Sequence, residues 1–152
     1  MKKIMMTIFA IFATFSMTSA QDFGDHSSAT LTSKAWEALN AGDHALVMTY
    51  TDKCIEMYLK KAKEMQAGLT ALPTGTQAEV SKYWALNDVG TCLFIKGQSL
   101  QKKGNKAAAK TAFKTLVDEL KYAQCWDAKG WFWSPAGAAK KTLVELEFET
   151  SI

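Results

Sequence analysis

Apolar residues return every three or four positions along most of this chain, the period of an amphipathic helix rather than of a strand. Leu31, Ala35, Ala38 and Leu39 form one apolar face and predict a first helix over about 29–41. Gly42 follows, the residue type that ends helices in the left-handed conformation, and Asp43 is of the type that caps the next one. From Ala45 through Leu46, Met48, Ile55, Tyr58, Leu59, Ala62 and Met65 the helical period continues to about Leu69. Leu72-Pro73-Thr74-Gly75 reads as a turn. Thr76 with Glu79 three residues on has the form of a capping box and opens a third helix, expected to run to about Lys103. Gly104-Asn105 repeats the punctuation of Gly42-Asp43 and precedes a fourth helix over about 105–120, carried by Ala109, Ala112, Phe113, Leu116, Val117 and Leu120. Ser134-Pro135-Ala136-Gly137 reads as a tight turn, with proline second and glycine fourth. A last amphipathic helix is expected over about 137–148, with Ala139, Leu143 and Leu146 inward and Lys140, Lys141 and Glu145 in water. β-branched alternation is scarce, so the fold class is all-α, with about five or six helices.

Aligned on its glycines, the chain repeats itself. Leu31, Ala35, Ala38, Gly42 form one set; Leu93, Gly97, Leu100, Gly104 a second; Trp126, Gly130, Trp133, Gly137 a third. Each has a large residue, a small one four on, an apolar one three further and a glycine four beyond. The small residue admits a neighbouring helix, the apolar ones fill the interface, and the glycine reverses the chain. The pattern resembles the tetratricopeptide repeat (TPR), whose second helix also wants a small residue and then an aromatic one; Ala109 and Phe113 supply these in the second unit. The family period is about 34 residues. Gly104 and Gly137 are 33 apart but Gly42 and Gly104 are 62 apart, so the second and third helices outgrow the usual hairpin. Over 29–148 the resemblance implies a short TPR-like array of antiparallel helical hairpins with a concave face, serving as a protein-binding scaffold.

The start of the chain changes the expected compartment. Lys2 and Lys3 precede an uncharged apolar stretch from Ile4 to Ala20, with Thr18 and Ala20 at the positions small residues take before a cut. The expectation is a signal peptide over 1–20, a flexible leader over 21–28, a helical domain over 29–148, and a periplasmic or secreted protein. The stretch is short and polar at its end for a span of about 20 apolar residues. Without the two leader lysines the 18 basic residues fall to 16 against 15 acidic ones. That balance is no electrostatic footprint for nucleic acid. Cys54, Cys92 and Cys125 show no metal-ligand spacing; small buried packing residues and a single disulfide in an oxidising compartment are both open.

No motif for nucleophilic, metal or phosphate chemistry stands in the chain, and no cofactor is called for. His26 and His44 are the only histidines; His26 falls in the expected flexible leader, and His44, at the start of the second helix, is read as a packing or surface residue. Glu145, Glu147 and Glu149 are two apart and do not face one another on a helix. Asn87 and Asp88 add polar groups to an apolar helix and are read as bonded to a neighbouring loop. The expected function is therefore a non-catalytic interaction module. By the resemblance, Trp36, Asn40, Phe94, Gln98, Gln101 and Lys102 face the concave side, where amides and rings suit an extended peptide. Trp126 and Trp133 are read as sealing the end of the stack, and Trp131 and Phe132 as a more exposed aromatic platform. Rings of that kind stack on sugar faces, so a carbohydrate- or cell-wall-binding module is the alternative.

Overall fold

The structure, a computed structural model, describes residues 21–149; the expected leader over 1–20 and its cut after Ala20 lie outside the described residues. Six helices and one short hairpin follow in order: α1 (Ser28–Ala41), α2 (His44–Ala67), α3 (Gln77–Ser81), α4 (Trp84–Lys102), α5 (Lys106–Glu119), β1 (Cys125–Trp126), β2 (Phe132–Trp133) and α6 (Pro135–Glu149). The all-α expectation holds.

The punctuation residues act as the sequence predicts. Gly42 sits at φ 73° and Gly104 at φ 78°, the left-handed region that side chains with a Cβ disfavour. Asp43 accepts from the Leu46 amide at 3.0 Å and Asn105 from the Ala108 amide at 3.2 Å, so each glycine hands the chain to a capped helix. Thr76 and Glu79 close the capping box in both directions.

α4 is the axis of the molecule. It packs against α1, α2, α5 and α6, and twelve of its residues are buried. Small residues allow this crowding. A Cβ on Gly97 would lie 2.4 Å from the Phe113 ring of α5, and one on Gly90 would lie 2.6 Å from Ala123. Close packing leaves no room for either. Around α4, Leu31 and Ala35 of α1, Val47 and Cys54 of α2, Phe113 and Leu116 of α5, and Ala139 and Leu146 of α6 complete one core, each without exposed surface. α1 also packs on α2, and α5 on α6. Residues 21–28, expected as a flexible leader, make definite contacts. Phe23 packs edge-on to Tyr50, Asp22 pairs with Lys34 at 2.9 Å, and Tyr58 donates to the His26 carbonyl at 2.8 Å.

Three sequence expectations are corrected. The third helix is not continuous from 76 to 103, because the chain bends at Lys82 and Tyr83 and restarts at Trp84. The set Trp126, Gly130, Trp133 is not a helix but an antiparallel hairpin, pairing Cys125 with Trp133 and Trp126 with Phe132. Its turn uses Gly130 at φ 100°, with the Gly130 amide donating to the Asp127 carbonyl at 2.9 Å and the Lys129 amide to Asp127 Oδ1 at 2.8 Å. Gly137 does not reverse the chain either. Pro135 begins α6 and the Gly137 amide donates to Ser134 Oγ at 3.1 Å, so Ser134 caps and Pro135 takes the first helical position. A type I turn and a first helical turn share their dihedrals, so Ser-Pro-x-Gly fits both.

Candidate functional site

α1, α4, the hairpin and α6 leave three clefts that share walls. The first, of about 360 Å³, lies between α1, the α3–α4 bend and the hairpin, and is walled by Thr32, Trp36, Trp84, Asp88, Trp126, Phe132 and Trp133 among others. The second shares Trp36, Trp126 and Trp133 with the first and adds Phe94 and Asp127. The third shares Phe94, Trp133 and Ala138 with the second and ends at Lys141 and Glu145. Joined through these rings, they form one groove.

Phe94 anchors its floor. Its ring centroid is 6.4 Å from Trp36 and 5.5 Å from Trp133 on the groove side, and 6.0 Å from Phe113 on the core side. Rings at these separations and tilts attract beyond their buried area, by about 0.5–1.5 kcal/mol a pair. Trp126 closes edge-on to Phe132 at 4.9 Å, and Trp84 edge-on to Tyr58 of α2 at 5.6 Å.

The hairpin that carries half of these rings is too short to hold itself, and Asn87 of α4 holds it. Buried Asn87 donates Nδ2 to the Val80 carbonyl at 3.1 Å and accepts at Oδ1 from the Gln124 amide at 3.0 Å. One side chain thus ties the α3–α4 bend and the start of the hairpin to α4, as the reading of Asn87 as a loop contact anticipates. Thr91 lies 3.1 Å from Cys125 Sγ, and Tyr122 donates its hydroxyl to the Thr70 carbonyl at 2.6 Å.

Asp88 is the only acid on α4 and brings charge into the first cleft. Ser28 of α1 donates its hydroxyl to Oδ2 at 2.5 Å. Burial pushes the carboxyl above its ordinary range, and the Ser28 hydrogen bond pulls back in part. Cys125, in the same cleft, is pushed up to about 12 by burial, with the Thr91 contact opposing, so its thiol stays protonated at neutral pH and is a poor nucleophile. Cys92 is raised well above its ordinary value by burial and by the Cys54 thiol beside it. All three cysteines are free thiols. His44 Nδ1 lies 2.8 Å from Ser99 Oγ, but Ser99 has no exposed surface, and the contact ties the start of α2 to α4.

Of the residues expected on the concave side, Trp36 and Phe94 meet in the groove. Asn40 and Lys102 are exposed, Gln98 and Gln101 half-buried, and none of the four lines the three clefts. Of the expected platform, Trp131 is 50% exposed at the hairpin turn with Lys129 Nζ 5.9 Å from its ring, while Phe132 is half-buried in the first cleft. Trp126, expected to seal the stack, is 41% exposed, because its segment is a strand rather than a helix. Sequence reasoning gave Trp84 no role and placed Asp88 against a loop; the available signal was a lone acid within an apolar helix. Among the described residues no helix is long and apolar enough to cross a membrane, and no three His, Cys, Asp or Glu side chains gather as a metal site. No family model, curated protein or solved structure matches the chain.

Proposed function

We infer that this chain is an exported, TPR-like, non-catalytic interaction module, periplasmic or secreted, which binds an extended segment of a protein partner along the aromatic groove. The continuity of the three clefts carries the reading. A path walled by Trp36, Phe94, Trp126 and Trp133 and running through three adjoining clefts suits a ligand longer than a single small molecule. Large, rigid rings are the residues that anchor binding energy at such surfaces.

Two further observations support the scaffold part. The first helices of the expected units, α1 and α4, pack on each other, each packs on its following helix, and α2 packs on α4; these are the neighbours a stack of helical hairpins requires. Gly97 against Phe113 puts the small and aromatic positions of the second unit in direct apposition. The residues 1–20, with their basic start and apolar run, support export.

Selection from a displayed library of unstructured peptides tests the reading. The expected result is a set of binders that Trp36→Ala and Phe94→Ala both weaken by about tenfold or more, the scale of a lost aromatic anchor. Failure to select any peptide, with tryptophan emission quenched instead by soluble oligosaccharides, would replace it with the carbohydrate reading, which the exposure of Trp126 and Trp131 favours.

A further inference from the structure

We propose that the Asp88 end of the groove is a specificity pocket for an alkylammonium group, carried by a lysine side chain of the bound peptide. The inference rests on the groove being the binding site and adds the chemistry it selects.

Three features of the first cleft converge on a cation. The carboxylate shares its cleft with indoles, and the π face of an indole attracts a cation within about 6 Å. Trp36, Trp84, Trp126 and Trp133 all line the cleft that Asp88 lines. Asp88 also lacks a counter-ion: no basic side chain lines its cleft, and the only side chain that shifts its carboxyl is Ser28. Finally, one of its oxygens is available. Ser28 occupies Oδ2, while Oδ1 accepts from no described residue. No fully buried side-chain oxygen is left without a partner, so Oδ1 reaches solvent. Water in the cleft is what it meets, and a ligand donor is what replaces that water.

The same geometry chooses between cations. A guanidinium binds a carboxylate best as a two-pronged fork that engages both oxygens. With the Ser28 hydroxyl on Oδ2, a single point of contact remains, which suits an ammonium. The same cleft presents rings and neutral polar side chains, Thr32 and Ser81 among them, and no second carboxylate to the rest of the ammonium surface. The rest of the groove agrees in sign: Asp127 lines the second cleft and Glu145 the third, against one lysine, Lys141.

The test uses the full chain with labelled indole N–H groups and three probes: Nα-acetyl-lysine amide, Nα-acetyl-norleucine amide and Nα-acetyl-arginine amide. The lysine derivative is expected to shift the Trp36 and Trp84 signals saturably. Norleucine, with the same four side-chain carbons and no ammonium, should not do so at the same concentration, and arginine should bind more weakly than lysine. Asp88→Asn, which keeps an acceptor for Ser28, should weaken lysine binding about tenfold or more, the scale of a hydrogen bond to a charged group. Trp131→Ala should leave it unchanged. Equal response to lysine and norleucine, or undiminished lysine binding by Asp88→Asn, would overturn the proposal, as would a response of these indoles to chitin oligosaccharides alone. The two readings fail separately. Selected peptides that need no lysine defeat this pocket and keep the groove; lysine-amide binding without any selected peptide defeats the groove and keeps the pocket.

Discussion

At the scale of single residues, two positions show opposite ways in which packing constrains chemistry. Gly97 is there because a ring is there: any Cβ enters the Phe113 ring, which is fully buried and has nowhere to move. Gly97→Val is expected to lower stability by about 1–3 kcal/mol, the cost of overpacking, despite valine's better helix propensity. Chemical denaturation checks it, and a variant as stable as the parent would mean α4 and α5 do not meet at this point. Asp88 is the reverse, a charge kept where burial disfavours it. Its carboxyl is raised in the folded chain, so its ionisation opposes folding; that cost is complete above the folded value and gone below the unfolded one. The titratable groups near it are the Cys125 thiol of β1 and the Cys92 thiol of its own helix, both shifted upward; α1 presents Ser28, which does not titrate. Asp88→Asn is therefore expected to melt higher than the parent at neutral pH, with the gap closing as pH falls through the carboxylate range. A gap of the other sign, constant with pH, would show that Asp88 supports the fold rather than a ligand.

Elements differ in how far the sequence reveals them. α1, α2 and α5 are legible because each has a face set by local spacing and ends set by local chemistry, as at Gly42-Asp43 and Gly104-Asn105. The hairpin is not, because its two strands of two residues are too short for alternation to register, and Trp126, Gly130 and Trp133 fall on the repeat spacing by coincidence. What makes it a hairpin is the Asp127 to Gly130 turn and the distant Asn87, neither of which a periodicity reports. The groove was half legible for the same reason. Trp36 and Phe94 follow from repeat register, whereas Trp84, Asp88 and Trp126 come together only through the α3–α4 bend and the hairpin. α6 carries its own prediction. Leu143 and Leu146 are buried by it, and losing each buried leucine costs about 2–5 kcal/mol. Against a total stability of about 5–15 kcal/mol, removal of residues 137–152 should leave a chain that aggregates or melts without a cooperative transition. Unchanged solubility and melting would show that α6 is an accessory to the core.

At the scale of the molecule, one central helix takes contacts from the five others, and the groove is the surface left where α1, α4 and α6 meet the hairpin. Its aromatic lining is continuous because Phe94, buried at 8% exposure, supports rings from two different elements at once. Rigid elements thus place the anchors, and the short hairpin sets how wide the path is between them. Binding should accordingly be sensitive to Asn87, which fixes the hairpin from the wall of the first cleft. Asn87→Ala is expected to weaken peptide binding while Trp131→Ala is not, as peptide titrations of the two variants would show.

The indole N–H signals of the five tryptophans, followed as a selected peptide is added to the full chain, test the central claim most directly. Binding in the groove predicts that Trp36, Trp126 and Trp133 shift together with one saturation curve while Trp131 stays in place. Movement of Trp131 alone, with Trp36 and Trp133 unmoved, would place the ligand on the hairpin turn and contradict the groove.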